Sequence, residues 1–246
     1  MDFGFGGLAE VFVVYGGILL SGAVGVSYFV QILPILRTRS ATGLSPATFA
    51  LNAVACALVA LNVVVLVFFG PDAPGVDLAV PAFQASVSTP LSAALLVLVA
   101  RAHRRYAGVV LYACTATAAA FAAGAALFAA PAFAVDLARA LGMCAAAATA
   151  ATWIPQMFAV AVAREPGQLS LAFLGMQALG GVFVLVYQVA VLDWSTWAAT
   201  AISVVSMTVL IVMVAVVRRR AAQIPVVTFS LDELPADGDE HEDSVL

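Results

Sequence analysis

Four carboxamide side chains lie inside long apolar stretches of the sequence, where they are the groups best suited to bind a polar solute. Gln31 and Asn52 recur 125 residues later as Gln156 and Gln177. A carboxamide both donates and accepts hydrogen bonds, and polar side chains are costly inside a hydrophobic segment. Costly residues that repeat at one offset predict an internal duplication.

Aromatic residues and loop segments repeat at the same offset. The aligned pairs are Tyr28 with Trp153, Arg39 with Arg164, Leu44 with Leu169, and Ser45 with Ser170. At 1.5 Å per residue, the carboxamides are expected about 8 to 12 Å in from one set of helix ends, with the two aromatic residues one turn deeper. Two-fold symmetry would gather the carboxamides around a central cavity, where they could bind a small polar or zwitterionic solute.

The composition places these residues in a membrane protein. Hydrophobic residues make up 64% of the chain and charged residues 10%, whereas roughly a quarter of the residues in soluble domains are charged. Seven apolar runs are long enough to cross about 30 Å of hydrocarbon. The predicted spans are residues 11–36, 46–69, 80–100, 107–128, 135–162, 169–192 and 195–217.

Arginines mark one side of the predicted bundle. The chain has no lysine, and nine of its ten arginines follow the first, third, fifth or seventh span, with only Arg139 on the other side. Because cytoplasmic loops carry the excess of positive charge, we expect an outside N-terminus and a cytoplasmic C-terminus. The bias toward alanine and arginine is typical of a bacterium with a GC-rich genome, which would place the protein in the plasma membrane.

The number of crossings predicts the domain organisation. Three crossings end opposite their start, so a fourth helix must return the chain before a second triple can begin in the same sense. We therefore predict an all-α integral membrane fold of seven helices, with two parallel three-helix bundles joined by a linker helix. The predicted units are residues 1–102, the first repeat; 103–131, the linker helix; 132–220, the second repeat; and 221–246, an acidic cytoplasmic tail expected to be disordered.

The third predicted span is unusually polar. When Arg101 is aligned with Arg218, Thr89 falls opposite Ser206, and both hydroxyl groups are expected near mid-membrane on the cavity wall. They extend the predicted solute site beyond the carboxamides.

Three prolines interrupt the predicted spans, and each removes a backbone donor from its helix. They are Pro34, Pro90 and Pro155. A bundle that rocks about hinges at these positions would expose the cavity first to one side and then to the other. Kinks without motion are the alternative.

These motifs resemble the PQ-loop repeat. Pro155 and Gln156 stand late in a predicted helix, Arg164 follows, and Leu169 and Ser170 open the next helix. The first copy, which is similar to the repeat of cystinosin-like transporters, has Gln31, Arg39, Gly43, Leu44, Ser45 and Asn52 at its motif positions. The resemblance covers about residues 8–220. It implies the arrangement of three, one and three helices that these proteins share with the SWEET sugar transporters, in which the repeats are parallel.

The leading interpretation is a transporter that moves a small polar metabolite, amino acid-like or a sugar, by alternating access. Acidic residues are predicted only near the outer ends of the spans, so facilitated diffusion is simpler than proton coupling. The alternative is a receptor or scaffold of the same fold that binds a partner without translocating it.

Several site residues have structural alternatives. Gln31 and Gln156 could satisfy carbonyl groups freed by the prolines, or hydrogen-bond between helices. Trp153 could be a packing residue, and Ser45 and Ser170 fit helix N-caps. For Asn52 and Gln177, lining of the cavity is the favoured role.

The sequence lacks the constellations of an enzyme. Its three cysteines are isolated within apolar helices, and neither histidine suggests a metal centre. Retinal attaches through a lysine, and the chain has none. We therefore expect no catalytic residues, no metal and no cofactor. The expected partners are a small-molecule solute and the lipid bilayer, with no nucleic acid, while a homo-oligomer is left open.

Overall fold

The computed structural model describes residues 7–69, 79–126, 131–163, 167–190 and 194–223. Every regular element in these ranges is an α-helix. In chain order the helices are α1 Gly7–Thr38, α2 Pro46–Phe69, α3 Ala79–His103, α4 Ala107–Ala126, α5 Pro131–Ala151, α6 Ile154–Ala163, α7 Leu171–Ala190 and α8 Trp194–Gln223. Arg164 and the predicted acidic tail lie outside the described residues.

The helices follow the predicted spans except at the fifth. Residues 135–162 were predicted as one span, but the chain divides there into α5 and α6. Pro155 explains the break, because it has no N–H to donate to the preceding turn. The Thr152 N–H instead bonds to the Thr149 carbonyl at 3.3 Å, and α6 begins with a bond of 3.0 Å from the Met157 N–H to the Trp153 carbonyl.

The other two predicted hinges show no such break. Pro34 lies within a continuous α1 and Pro90 within a continuous α3. A proline at an interior position therefore interrupts the backbone in the second repeat alone.

The helices form a multi-pass integral membrane protein. Six of them, with α5 and α6 taken together, contain segments long and apolar enough to cross a bilayer, and a shorter apolar segment, Leu171–Val186, lies in α7. Large apolar side chains cover the outside, with Phe121 80% exposed and Leu19 74% exposed. Gln31 and Gln156 are fully buried, so the polar groups lie within the protein, where lipid cannot reach them.

The helices pack as two equivalent groups. We call α1, α2 and α3 the first group, and α5 to α8 the second. Within the first group α3 packs on α1 and α2, and within the second group α8 packs on α5, α6 and α7. Between the groups, α1 packs on α7 and α2 packs on α5, while α4 covers α2, α3 and α5. Each contact within one group has its counterpart within the other.

The ends of α1, α3 and α8 that carry arginines lie on one side, which we call the arginine side. The His103 ring, at the end of α3, lies 3.0 Å from the Ala41 carbonyl in the loop after α1. Arg218, near the end of α8, donates to the Leu169 carbonyl at 2.7 Å. These contacts place both interhelical loops, residues 39–45 and 167–170, on the arginine side.

Candidate functional site

A cavity of about 490 Å³ lies between the two groups of helices. Its wall follows α2 from Asn52 to Leu66 and α7 from Gln177 to Gln188. Since a helix rises about 1.5 Å per residue, the stretch of α2 covers roughly 21 Å. The cavity therefore extends from the level of Asn52 toward the helix ends opposite the arginine side.

The two repeated amides line the end of the cavity nearer the arginine side. Asn52 Nδ2 donates to the Tyr28 hydroxyl at 2.9 Å, and Gln177 Nε2 donates to the Ser27 hydroxyl at 3.0 Å. The Ser27 hydroxyl donates in turn to the Val24 carbonyl at 2.6 Å. The amides are therefore held in place by α1 while they remain part of the wall.

The remainder of the described wall adds amides and hydroxyls but no charged side chain. Its polar residues are Asn62, Gln84, Ser88, Thr149, Thr152, Gln188, Thr200 and Ser203. Asn62 Oδ1 and the Ser88 hydroxyl are buried and have no hydrogen-bond partner among the described residues. Because buried polar atoms are almost always hydrogen-bonded, this wall favours a polar occupant, either water or a neutral solute.

Three aromatic rings close the cavity toward the arginine side. The Tyr28 and Phe173 rings meet edge to face with their centroids 5.8 Å apart, and the Trp153 and Phe173 centroids are 6.1 Å apart. Each of the three side chains is at most 3% exposed. In the first repeat Thr48 takes the position of Phe173, and its buried hydroxyl has no partner in the part of the chain that the structure describes. The aromatic layer is thus asymmetric, with three large rings and one small polar side chain.

On the arginine side of this layer, Gln31 and Gln156 each bind the loop of the other repeat. Gln31 Nε2 donates to the Gln168 carbonyl at 3.1 Å, and Gln31 Oε1 accepts from the Ser170 N–H at 2.9 Å. Gln156 Nε2 donates to the Gly43 carbonyl at 2.7 Å, and Gln156 Oε1 accepts from the Ser45 N–H at 2.7 Å. We call these two pairs of bonds the glutamine clamps.

The clamped loops also touch each other. The Gln168 N–H donates to the Thr42 carbonyl at 2.9 Å, and Gln168 Nε2 donates to the Thr38 hydroxyl at 2.7 Å. Gly167 has φ +53°, and a Cβ there would fall on the Thr42 carbonyl. The contact requires both a glycine conformation and an absent side chain. The two loops therefore meet on the arginine side.

Local sequence explains how the loops enter their helices. The Ser170 hydroxyl accepts from the Phe173 N–H at 3.3 Å, and the Ser170 carbonyl accepts from the Leu174 N–H at 3.1 Å. Ser170 is therefore an N-cap of α7. The Ser170 N–H donates to Gln31 Oε1 in one of the clamps. Ser170 therefore both caps α7 and hydrogen-bonds to the first repeat.

The predicted site residues divide between these regions. Tyr28, Trp153, Asn52 and Gln177 line the cavity. Gln31 and Gln156 lie on the arginine side of the aromatic layer, where their carboxamides hydrogen-bond to the loops. The four carboxamides therefore do not form one ring.

The predicted hydroxyl pair lies elsewhere. Thr89 donates to the Cys56 carbonyl at 3.1 Å and lines a shallow groove between α2 and α3. Neither Thr89 nor Ser206 is part of the cavity wall, whereas Ser88 and Ser203 are. The difference is one residue in α3 and three in α8. In α3, one residue turns the helix by about 100°, which is enough to move Thr89 off the cavity. In α8, three residues turn the helix by about 300° and shift the side chain by about 4.5 Å along the axis.

Sequence reasoning passed over other residues of the site. Ser27 anchors Gln177, and Phe173 completes the aromatic layer. A signal existed for Ser27, because the offset of 125 places it opposite Thr152, another small hydroxyl residue. No such signal existed for Phe173, which faces a threonine in the duplication.

The described residues contain no group of histidine, cysteine or acidic side chains that could hold a metal ion. The three cysteines are free. The chemistry of the site is therefore that of hydrogen bonding and apolar contact.

Comparison with known proteins gives one informative likeness. No protein family model matches the chain, and no curated protein does. Among solved structures, the chain is similar to a eukaryotic SWEET transporter determined at 3.7 Å resolution, with a TM-score of 0.55 and 13% sequence identity. The likeness covers 84% of this chain and 95% of the other. At this identity it shows the fold alone: the chain has a SWEET-like helical membrane fold.

Proposed function

We propose that this protein is a transporter that moves a small, neutral, polar solute across the membrane by alternating access. The observation that carries the proposal is the cavity itself, walled by amides and hydroxyls and closed on one side by two equivalent clamps. The wall extends toward the opposite side of the membrane, as expected of a carrier in one of its two end states. The fold it shares with a SWEET transporter supports the same function.

The proposal includes a membrane arrangement of three, one and three spans. In it the seven spans are α1 to α4, α5 with α6, α7 and α8, and the two repeats are parallel, as in the PQ-loop and SWEET pattern. The arginine side is cytoplasmic by the distribution of positive charge, and the membrane is a bacterial plasma membrane. The paired contacts of the two groups and the meeting of their loops support this arrangement.

The glutamine clamps supply the gate on the arginine side. For the cavity to open there, the loops at residues 39–45 and 167–170 must separate, which breaks the four glutamine bonds and the Gln168 N–H to Thr42 bond together. The break between α5 and α6 lies directly above one clamp and is the place where α6 can tilt. Pro155 is therefore the principal proposed hinge, with Pro34 and Pro90 as secondary positions.

The wall chemistry indicates the class of solute. The described cavity wall offers no counter-charge, so a charged group there would lose hydration that amides replace only in part. Hydroxyl-rich or amide-bearing molecules match the wall better, because each side can donate and accept. We therefore favour a sugar, a polyol or another uncharged metabolite over an ion, with an amino acid-like molecule as the second class. Downhill movement is proposed, since the described cavity wall has no titratable carboxylate.

Uptake into proteoliposomes tests the proposal. Purified protein should show saturable uptake of at least one radiolabelled solute from a panel of sugars, polyols and neutral amino acids. Asn52→Ala and Gln177→Ala should each reduce uptake about tenfold or more, because a solute hydrogen bond lost in a buried site is worth about 1 to 3 kcal/mol. Ser86→Ala is the matched control, since Ser86 is exposed and bonds to its own helix at the Phe83 carbonyl.

The second candidate is a receptor or scaffold of the same fold. The observation in its favour is the completeness of the clamps, which leaves each glutamine amide satisfied and the arginine side firmly closed. Binding of a solute without any flux would support the receptor and contradict the transporter.

A further inference from the structure

The arginine side carries a concentration of positive charge. Its described arginines are Arg37, Arg39, Arg101, Arg104, Arg105, Arg218, Arg219 and Arg220, and all of them are exposed. The one ion pair among the described side chains, Asp136 with Arg139 at 3.4 Å, lies on the opposite side. Within the described part of the chain, no acidic side chain balances the arginine side.

The sequence places a matching negative charge next to this surface. Residues 224–246, which lie outside the described part of the chain, follow α8 on the arginine side. They contain Asp232, Glu233, Asp237, Asp239, Glu240, Glu242 and Asp243, and no lysine or arginine. With this segment removed, the net charge would change from −4 to +3, because ten arginines would face seven acids. The acidic segment and the arginine side are therefore complementary in sign and similar in amount.

We propose that the acidic segment binds the arginine side of its own chain, across the two loops held by the glutamine clamps. The segment is long enough. Helix α7 separates α8 from α1, and neighbouring helices lie about 10 Å apart, so the arginines at the end of α1 are roughly 20 Å from the end of α8. The nine residues from Gln223 to Asp232 can span about 30 Å when extended.

Attachment to α8 favours this occupant. A short flexible tether holds the segment near its target at an effective concentration in the millimolar range. A single exposed ion pair contributes little, but several acids on one tether can engage several arginines at once. Anionic lipid headgroups are also attracted to arginines at the membrane surface, and they are the competing occupant.

The arginines of this surface lie beside both clamped loops. Arg39 belongs to the first loop, and Arg218 donates to the Leu169 carbonyl of the second. Arg104, just beyond α3, lies next to His103, whose ring contacts the first loop at Ala41. An acidic segment bound to these arginines bridges both loops.

A distance measurement on the full chain tests the binding itself. The three native cysteines are replaced by alanine, and spin labels are attached through Ala102→Cys, an exposed position among the arginines, and Ser244→Cys in the acidic segment. The protein is held in nanodiscs of zwitterionic lipid. Ala140→Cys, exposed on the opposite side, replaces Ala102→Cys in the control pair.

We expect short distances for the 102–244 pair at low salt. They should shift to longer, broader values in about 1 M salt, where the Debye length falls to about 3 Å. Replacing the seven acids by their amides should cause the same shift, and so should Arg104→Gln combined with Arg105→Gln. Arg139→Gln is the matched control and should leave the distances unchanged. Release of the segment by added phosphatidylglycerol would show that lipid competes for the same arginines and would support the site.

Identical distances for the native and amide-substituted segments would overturn the proposal. So would long distances for the native segment in zwitterionic lipid at low salt, which would leave the arginine side to lipid alone. Uptake is measured in the same preparations as a separate readout of the proposed function. A preparation with no uptake at all contradicts the proposed function instead, and the distance result stands independently of it.

Discussion

The glutamine clamps and the amide wall of the cavity use the same functional group, the carboxamide, for two different purposes. Gln31 and Gln156 are fully buried, and each carboxamide both donates to and accepts from the backbone of the opposite repeat. Asn52 and Gln177 are partly exposed to the cavity, and each donates one bond to α1. The comparison shows that depth and partner, more than residue type, separate a structural amide from one available to a solute.

The difference has an energetic basis. A buried amide whose bonds go to backbone groups leaves those groups unsatisfied when it is removed, at about 1 to 3 kcal/mol for each group. An amide on a polar cavity wall can be replaced by water, so its removal weakens solute binding more than it lowers the stability of the fold. The following predictions test this distinction, from the largest expected effect on stability to the smallest.

Gln156→Leu should be the most destabilising change. It removes the partners of the Gly43 carbonyl and the Ser45 N–H, for an expected loss of about 2 to 6 kcal/mol in the free energy of unfolding. Equilibrium unfolding in mixed micelles measures it. Gln31→Leu should behave alike, because its clamp is equivalent, and a loss below that of Gln177→Ala in the same assay would contradict the distinction.

Gly167→Ala should weaken the contact between the two loops without touching either glutamine. The residue has a positive φ, which costs an alanine about 1 to 3 kcal/mol, and its Cβ would fall on the Thr42 carbonyl. Gly175→Ala is the matched control, since a Cβ there meets nothing within 4 Å. The midpoint of thermal unfolding should fall for the first variant and hold or rise for the second. Equal midpoints would show that the loops do not depend on this contact.

Gln177→Ala should separate stability from transport. It removes a single hydrogen bond between helices, and such bonds contribute about 0.6 kcal/mol on average in a membrane protein. Unfolding should therefore change little while uptake is strongly reduced. Should unfolding instead change as much as in Gln156→Leu, the amide wall would be structural and the cavity would lose its main candidate ligands.

Ser206→Ala should have the smallest effect of all. Ser206 lies off the cavity wall, whereas Ser203, one turn earlier in α8, lies on it. Uptake should be unchanged by Ser206→Ala and reduced by Ser203→Ala, as measured by the concentration dependence of the initial rate. If Ser206→Ala reduced uptake and Ser203→Ala did not, Ser206 would be the residue on the cavity wall, as predicted from the alignment of Arg101 with Arg218.

Much of the fold could be predicted from the sequence, because the length and composition of a segment are enough to identify a membrane helix. Each must be about 20 apolar residues long, and polar residues within it are rare enough that Gln31, Gln156, Asn52 and Gln177 could be singled out. Pro155 was predicted as a hinge, and the helix divides beside it; motion about it stays a prediction. The sequence could not show that α1 continues unbroken through Pro34, because whether a proline kinks or ends a helix depends on neighbours that lie far away in the chain.

The candidate site was harder to predict, because its contacts cross between the repeats. Gln31 binds residues more than 130 positions away, and Gln156 binds a loop more than 110 positions away. The sequence could show that the glutamines were paired, but not that each belongs to the loop of the other repeat. Ser88 was passed over in favour of Thr89, because one residue of helical register changes which side chain points inward.

By itself, the sequence determined the class of the protein and the set of polar residues that lipid would not tolerate, because the cost of burying a polar group depends on residue type and local length. The duplication that it predicts stays a prediction. Only the tertiary structure decided which of those residues close the arginine side and which face the cavity. That division follows from how the two helical groups pack against each other, and packing is a property of distant pairs rather than of any one stretch of chain.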